Sequence, residues 1–183
     1  MSGASHPFVL LRMRTAEHEA AAPKYAHLEL ERRWLVGAAT ADGLEACDPI
    51  AIHDRYIVGT RMRLRGMRHG GATVYKLTKK YDCADALVRP IVTAYLKEAE
   101  YSVFAVLPAL TLRKRRFRVS SEGRNFTLDR FEGPLAGLTL AEIEVASEAD
   151  LRALAQPAWT VREVSDDPRY QGAALARDGI PTE

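Results

Sequence analysis

Two pairs of glutamates and two runs of basic residues carry the side chains whose types and spacing could do chemistry. Glu29 and Glu31 stand two apart, and so do Glu142 and Glu144. In an extended strand residues two apart share a face, so each pair presents its carboxylates together. Paired carboxylate oxygens suit a hard divalent cation such as Mg²⁺ or Mn²⁺. No acid falls between Asp54 and Asp82, a stretch carrying Arg55, Arg61, Arg63, Arg65, Arg68, Lys76, Lys79 and Lys80. A second acid-free stretch, 101–121, holds Arg113, Lys114, Arg115, Arg116 and Arg118. Arginines offer phosphate a fork of donors and lysines a point charge. The chemistry expected is that of a polyanion held beside a metal pole.

The elements that must position these residues are mostly strands. Alternation and β-formers predict strands over 25–36, 60–65, 72–81, 87–96, 109–119, 125–131, 141–145 and 159–164. Gly70-Gly71 and Glu122-Gly123-Arg124 are hairpin signals between them. Helices are expected over 97–107, stopping before Pro108, and over 147–156, where Ser147 precedes Asp150 as in a capping box. A third is expected over 167–178, with Asp167-Pro168 at its start and Gly179 at its stop.

Face by face, Glu29, Glu31 and Arg33 oppose Leu28, Leu30 and Trp34. Arg61, Arg63 and Arg65 alternate with Met62 and Leu64; Lys76, Thr78 and Lys80 alternate with Leu77. Lys114, Arg116 and Arg118 share a face, as do Asn125, Thr127 and Asp129. One such strand is most simply a sheet with its charged face in water. The repetition argues otherwise, because like charges facing each other across strands destabilise a sheet unless a ligand of opposite sign lies between them. A barrel with a charged lumen and an apolar outside, covered by helices, meets that requirement. Periodicity alone does not separate a barrel from a sandwich.

At these residues the chain resembles the CYTH, or triphosphate tunnel metalloenzyme, superfamily, in its bacterial form. Glu29-Leu-Glu31-Arg-Arg33-Trp-Leu-Val36 is similar to the family's ExExK strand, Arg63-Leu-Arg65 to its RxR, Leu77-Thr78-Lys79-Lys80 to its LTxK and Lys114-Arg115-Arg116 to its KxR. The most specific run extends from Leu128-Asp129 through Phe131, Gly133, Leu135, Gly137-Leu138 and Leu140-Ala141 to Glu142-Ile143-Glu144. Arg169-Tyr170, Leu175-Ala176 and Gly179-Ile-Pro181 resemble the family's tail. The ordered set runs from about Lys24 to Pro181.

The resemblance implies an α+β fold, mainly antiparallel β: a closed eight-stranded tunnel with helices packed outside. It implies metal ligation, by Mg²⁺ or Mn²⁺, at Glu29, Glu31, Glu142 and Glu144, with Asp129 as an addition. Phosphate binding falls to Arg63, Arg65, Lys80, Lys114 and Arg116, with Arg89 from the family's RxExE element; Arg61 and Lys76 share faces with these residues. Glu29, Glu31 and Arg33 form the catalytic strand. Two departures bear on rate. Arg33 stands where the family has lysine, and an arginine does not deprotonate to act as a base. Ile91 and Thr93 stand where RxExE has its glutamates.

Composition agrees with one domain. The chain has 183 residues, of which 47% are hydrophobic and 27% charged, with a net charge of +2. Residues 1–23 read as a poorly ordered leader and 24–183 as the tunnel domain. No apolar run approaches a membrane span and no signal peptide is apparent, so a cytoplasmic protein is expected. Cys47 and Cys83 lack metal spacing and read as idle thiols. His27 shares the Glu29 face and reads as a residue at the strand entrance; His6, His18, His53 and His69 read as loop or leader. The reading is a metal-dependent triphosphatase acting on tripolyphosphate, ATP or thiamine triphosphate. The alternatives are a class IV-type adenylate cyclase, or a module that binds triphosphate, nucleotide or polyphosphate without turnover. Aromatic residues make up 8% and do not interleave with the basic stripe, so no nucleic-acid partner is expected. A homodimer is left open.

Overall fold

The computed structural model describes residues 23–38, 40 and 48–182. Most of the expected leader, together with His6, His18 and Cys47, lies outside the described residues. Among the described residues nine strands follow in order: β1 (His27–Val36), β2 (Ile50–Ile57), β3 (Met62–His69), β4 (Ala72–Lys80), β5 (Val88–Leu96), β6 (Ala109–Ser121), β7 (Arg124–Phe131), β8 (Thr139–Glu144) and β9 (Thr160–Glu163). The helices among the described residues are α1 (Glu98–Ala105), α2 (Glu148–Ala153) and α3 (Gly172–Asp178).

Eight strands close into an antiparallel barrel. Hairpins join β2 through β5 and β6 through β8; β2 and β6 pair at one seam, and β1 closes the other between β5 and β8. β9 adds to β1 outside the ring. The Glu31 N–H reaches the Leu87 carbonyl, and the Arg33 carbonyl accepts from Val164 N–H. β5 and β9 therefore take the same edge of β1 in succession, since residues two apart point their backbone groups the same way.

The eight expected strands differ from these in two respects. The strand at 159–164 exists but is not a barrel stave, and β2 was not expected. β2 reads Ile-Ala-Ile-His-Asp-Arg-Tyr-Ile, with apolar and charged residues on both faces, so it carries no clean alternation. The third helix is also shorter than expected. A single 3₁₀ turn, Pro168–Tyr170, precedes α3, and the Asp167 side chain caps the turn by accepting the Arg169 N–H. Ser147 Oγ caps α2 as its spacing predicted, accepting the Asp150 N–H at 3.1 Å.

Two apolar clusters hold the barrel. One lies outside it, where Trp34, Phe117, Phe126, Leu128 and Ile143 turn away from the lumen and pack under Leu151 and Leu154. Phe126 meets Trp34 and Trp159 edge-on, with ring centroids 6.3 and 5.3 Å away. The other cluster closes one end of the lumen. Leu112, Phe131 and Leu140 share inward faces with Lys114, Asp129 and Glu142, and they pack against Val164, Tyr170 and Leu175 from the C-terminal segment. The lumen is thus charged along most of its length and apolar where α3 seals it. Among the described residues no helix is long and apolar enough to cross a membrane.

Candidate active site

The lumen is a cavity of about 560 Å³. β1 points Glu29, Glu31 and Arg33 into it, and β8 adds Glu142 opposite Arg33 and Glu144 opposite Glu31. β3 adds Arg63 and Arg65, β4 adds Lys76 and Lys80, β5 adds Arg89 and β6 adds Lys114 and Arg116. Arg61, just before β3, lies at the mouth, where it pairs with Asp82. Each residue assigned in the sequence to the metal, phosphate or catalytic set lines this one cavity, except Asp129.

The charges that are segregated along the chain are interleaved in space. Arg33 contacts Glu31 at 2.5 Å and Glu142 at 2.9 Å. Arg116 reaches Glu142 at 2.6 Å, and Lys80 pairs with Glu29. Cations still outnumber acids on the wall. The Nε atoms of Arg63 and Arg89 are buried and make no hydrogen bond among the described residues. Among the described residues Arg89 hydrogen-bonds a neutral group, the Gln171 amide oxygen, at 3.0 Å. Lys76 rests its ammonium over the Tyr95 ring, 4.7 Å from the centroid. An excess of positive charge in a low-dielectric hollow attracts a polyanion.

Burial and neighbours shift the acids in opposite directions. Burial, reinforced by the nearby Glu142 and Glu29 carboxylates, pushes Glu31 above the usual carboxylate range. Burial works against the charge of Glu142 as well, but Arg33, Lys114 and Arg116 hold it well below that range. Burial also opposes the charge of Glu29, but Lys80 and Arg63 together hold it below its ordinary value. Burial lowers Lys114, aided by Arg116 and Arg65 and opposed by Asp129 and Glu142. Arg33 is raised: three carboxylates overcome the cost of burying it.

Asp129 does not reach the cavity. Its carboxylate is fully buried behind the wall and is shared between Arg116, at 2.6 Å to each oxygen, and Lys114. Alternation gives the face of Asp129 correctly but not its depth along the strand. Glu144 sits at the rim, half exposed, with the His27 imidazole at 3.5 Å.

β2 supplies two inward residues the sequence reading missed. Asp54 is fully buried and binds Arg65 through both oxygens, at 2.6 and 2.7 Å. Burial opposes its charge, but Arg65 and Arg63 hold it far below the ordinary aspartate range. Tyr56 lines the cavity, and burial together with Asp54 pushes its phenol up to about 12. The signal was Ile50, Ile52, Asp54 and Tyr56 at every second position, masked by Arg55 and His53 on the other face.

The donor set has the chemistry a hard divalent cation needs. Glu29, Glu31 and Glu142 are carboxylates in one cavity, close enough to influence one another's protonation, and an added cation would relieve that repulsion. Their present partners are arginine and lysine, and among the described residues no three acidic, histidine or cysteine side chains are grouped around one point. A cation would compete with Arg33 for Glu31 and Glu142.

No protein-family profile matches the chain. Two curated proteins align with part of it. The inorganic triphosphatase of Nitrosomonas europaea is 44% identical over 55 residues, 30% of this chain and 36% of that protein. The inorganic triphosphatase of Acetivibrio thermocellus is 36% identical over 67 residues, 37% of this chain and 42% of that protein. The chain thus spans about two fifths or less of the curated relatives it matches. Solved structures cover far more of it. The crystal structure of the hypothetical protein NE1496 superposes with a TM-score of 0.52 at 25% identity, over 81% of this chain and 97% of that one. That of a putative adenylate cyclase from Bacillus halodurans superposes with a TM-score of 0.51 over 69% and 85%; at 17% identity it speaks for the fold alone.

Proposed function

The chain belongs to the CYTH, or triphosphate tunnel metalloenzyme, superfamily, and from that premise we propose that it is a metal-dependent hydrolase of triphosphates. The observation that carries the reading is one cavity walled by cations from β3, β4, β5 and β6, with the acids of β1 and β8 on its other side. Phosphoryl transfer asks a protein mainly for in-line positioning and charge neutralisation.

Arg63, Arg65, Lys80, Lys114 and Arg116 neutralise and align the phosphate chain, with Arg89, Arg61 and Lys76 extending the wall. Arg33 adds a fork beside the acids and leaves the proton of the attacking water to another group, since a guanidinium stays charged. Glu29, Glu31 and Glu142, with Glu144 at the rim, would hold Mg²⁺ or Mn²⁺, whose chemistry is to neutralise phosphate oxygens and to activate water. The apolar seal of Leu112, Phe131 and Leu140 against α3 keeps one end of the lumen dry, which strengthens each ion pair in it. The substrate is a small triphosphate, with tripolyphosphate favoured over ATP and thiamine triphosphate by the names of the curated relatives.

A second reading has one observation in its favour. Arg33 bridges Glu31 and Glu142 and so neutralises the carboxylates a metal would use. On that reading the tunnel binds triphosphate without turnover.

The deciding experiment is phosphate release from tripolyphosphate, ATP and thiamine triphosphate, each with Mg²⁺, Mn²⁺ or EDTA, beside the variant Glu142→Ala. Metal-dependent release that the variant loses is the expected result. Tight binding by calorimetry with no release from any of the three, and no cyclic product from ATP, would replace the hydrolase with the binding module.

A further inference from the structure

We propose that Asp54 is a positioning residue of the triphosphate site, aiming Arg65 at the phosphates from behind the cavity wall. The inference rests on the reading of the tunnel as a triphosphate site and adds to it a residue outside the lining.

Asp54 faces inward from β2 directly opposite Arg65 of β3. It has no exposed surface, while Arg65 beside it lines the cavity. Its two oxygens take Arg65 Nε and Nη2, at 2.6 and 2.7 Å. This pair leaves Nη1 unused, so the fork fixes the guanidinium plane and keeps a donor for the lumen. The Nε of Arg63 lies 3.9 Å from the same carboxylate. Arg65, Lys114 and Arg116 repel one another across the lumen, and such a cluster needs a counter-charge to stay assembled before ligand arrives.

Stability alone does not account for the arrangement. A buried ion pair gains little over a well-packed apolar pair of the same size, because desolvation offsets the attraction. An acid beneath a phosphate site also repels the ligand. What Asp54 contributes is a pre-set orientation of Arg65, which lowers the ordering cost of binding and places its charge where phosphate oxygens arrive. Asp54 touches no reacting atom and acts through Arg65.

The test is Asp54→Asn in the full chain, with tripolyphosphate hydrolysis measured well below the melting temperature. KM should rise about tenfold, the scale of one charge-assisted hydrogen bond, with kcat changed much less. The effect should be non-additive with Arg65→Lys, because one acts through the other. A folded variant with unchanged KM, or full additivity with Arg65→Lys, would overturn the inference. Asp54→Glu provides the second reading should the asparagine variant not fold: it keeps the charge but displaces the fork by a methylene, so KM should again rise. If neither variant folds, Asp54 is a folding residue and the inference falls. Failure of the triphosphate reading is distinguishable, since the unmodified chain would then neither bind nor hydrolyse tripolyphosphate.

Discussion

Arg33 lies 2.9 Å from Glu142, the residue paired with it across β1 and β8, and its fork also takes Glu31 on its own strand. One guanidinium thus ties two carboxylates that would otherwise be open to a metal. A lysine at this position reaches with one nitrogen instead of a fork of three, so it holds the two carboxylates together less firmly. Arg33→Lys should therefore leave one carboxylate freer and lower the Mn²⁺ concentration giving half-maximal phosphate release. A severalfold decrease is expected. An unchanged or higher metal requirement would show that Arg33 does not compete with the cation.

Asp54 also sets an acid limit on the fold. Its carboxyl is held far below the ordinary aspartate value of 3.8, against the cost of burial, by Arg65 and Arg63. At pH 3 the unfolded chain therefore binds more protons at this site than the folded one, and stability rises with pH there. The contribution is fully present above about pH 5 and is lost as pH falls towards the folded value. At neutral pH, Asp54→Asn should melt well below the unmodified chain, because Arg65 is left buried without its counter-charge. The gap between the two melting curves should narrow as pH drops from 5 towards about 2. A constant gap across that range would place the stabilisation elsewhere.

The sequence made the wall of the site legible because strand alternation alone assigns a face. Glu29, Arg63 and Glu142 are inward residues with apolar outward neighbours, whereas Lys80 and Lys114 follow or lie between other basic residues and take their face only from the residues two away, Thr78 and Arg116. Depth along a strand has no such signature. Asp129 and Phe131 share a face on β7, yet one carries buried charge behind the wall and the other seals the apolar end. β2 was hidden for the related reason that its inward Asp54 looks like a solvated acid until Arg65 is known to stand opposite. Pairing between charged strands is also a property of closure. The acid-free stretches suggest separate poles, and only the barrel brings Arg33 and Arg116 onto Glu142.

Outside the lumen, Trp34 tests the other half of the design. Its side chain is fully buried between the barrel wall and α2, with Phe126 edge-on and the Arg32 guanidinium 5.2 Å from its ring centroid. Arg32 in turn binds Glu163 of β9 at 2.8 Å. Trp34→Ala should cost about 3–5 kcal/mol, the range for removing a large aromatic from a core. Chemical denaturation would read this as a lower midpoint with an unchanged slope. A loss under about 1 kcal/mol would mean that the outer cluster closes over the gap.

Gly172 places the first turn of α3 against the lumen in a way no other residue allows. A Cβ built there would stand 1.8 Å from Tyr56 Oη and 2.7 Å from Cζ, so phenol and backbone occupy the space of a side chain. Tyr56 is half-buried and lines the cavity beside the Arg33 and Arg89 contacts that hold Tyr170 and Gln171. Gly172→Ala must therefore push α3 off the end of the barrel or drive the phenol into the phosphate site. The melting temperature should drop by about 2–4 °C per kcal/mol lost for a domain of this size, and KM for tripolyphosphate should rise with it. Tyr56→Phe removes the nearest colliding atom, so the double variant should recover part of the melting temperature. No recovery would mean that the collision is relieved by moving α3, and Gly172→Ala should then open the sealed end and increase hydrogen exchange at Leu175 and Ala176.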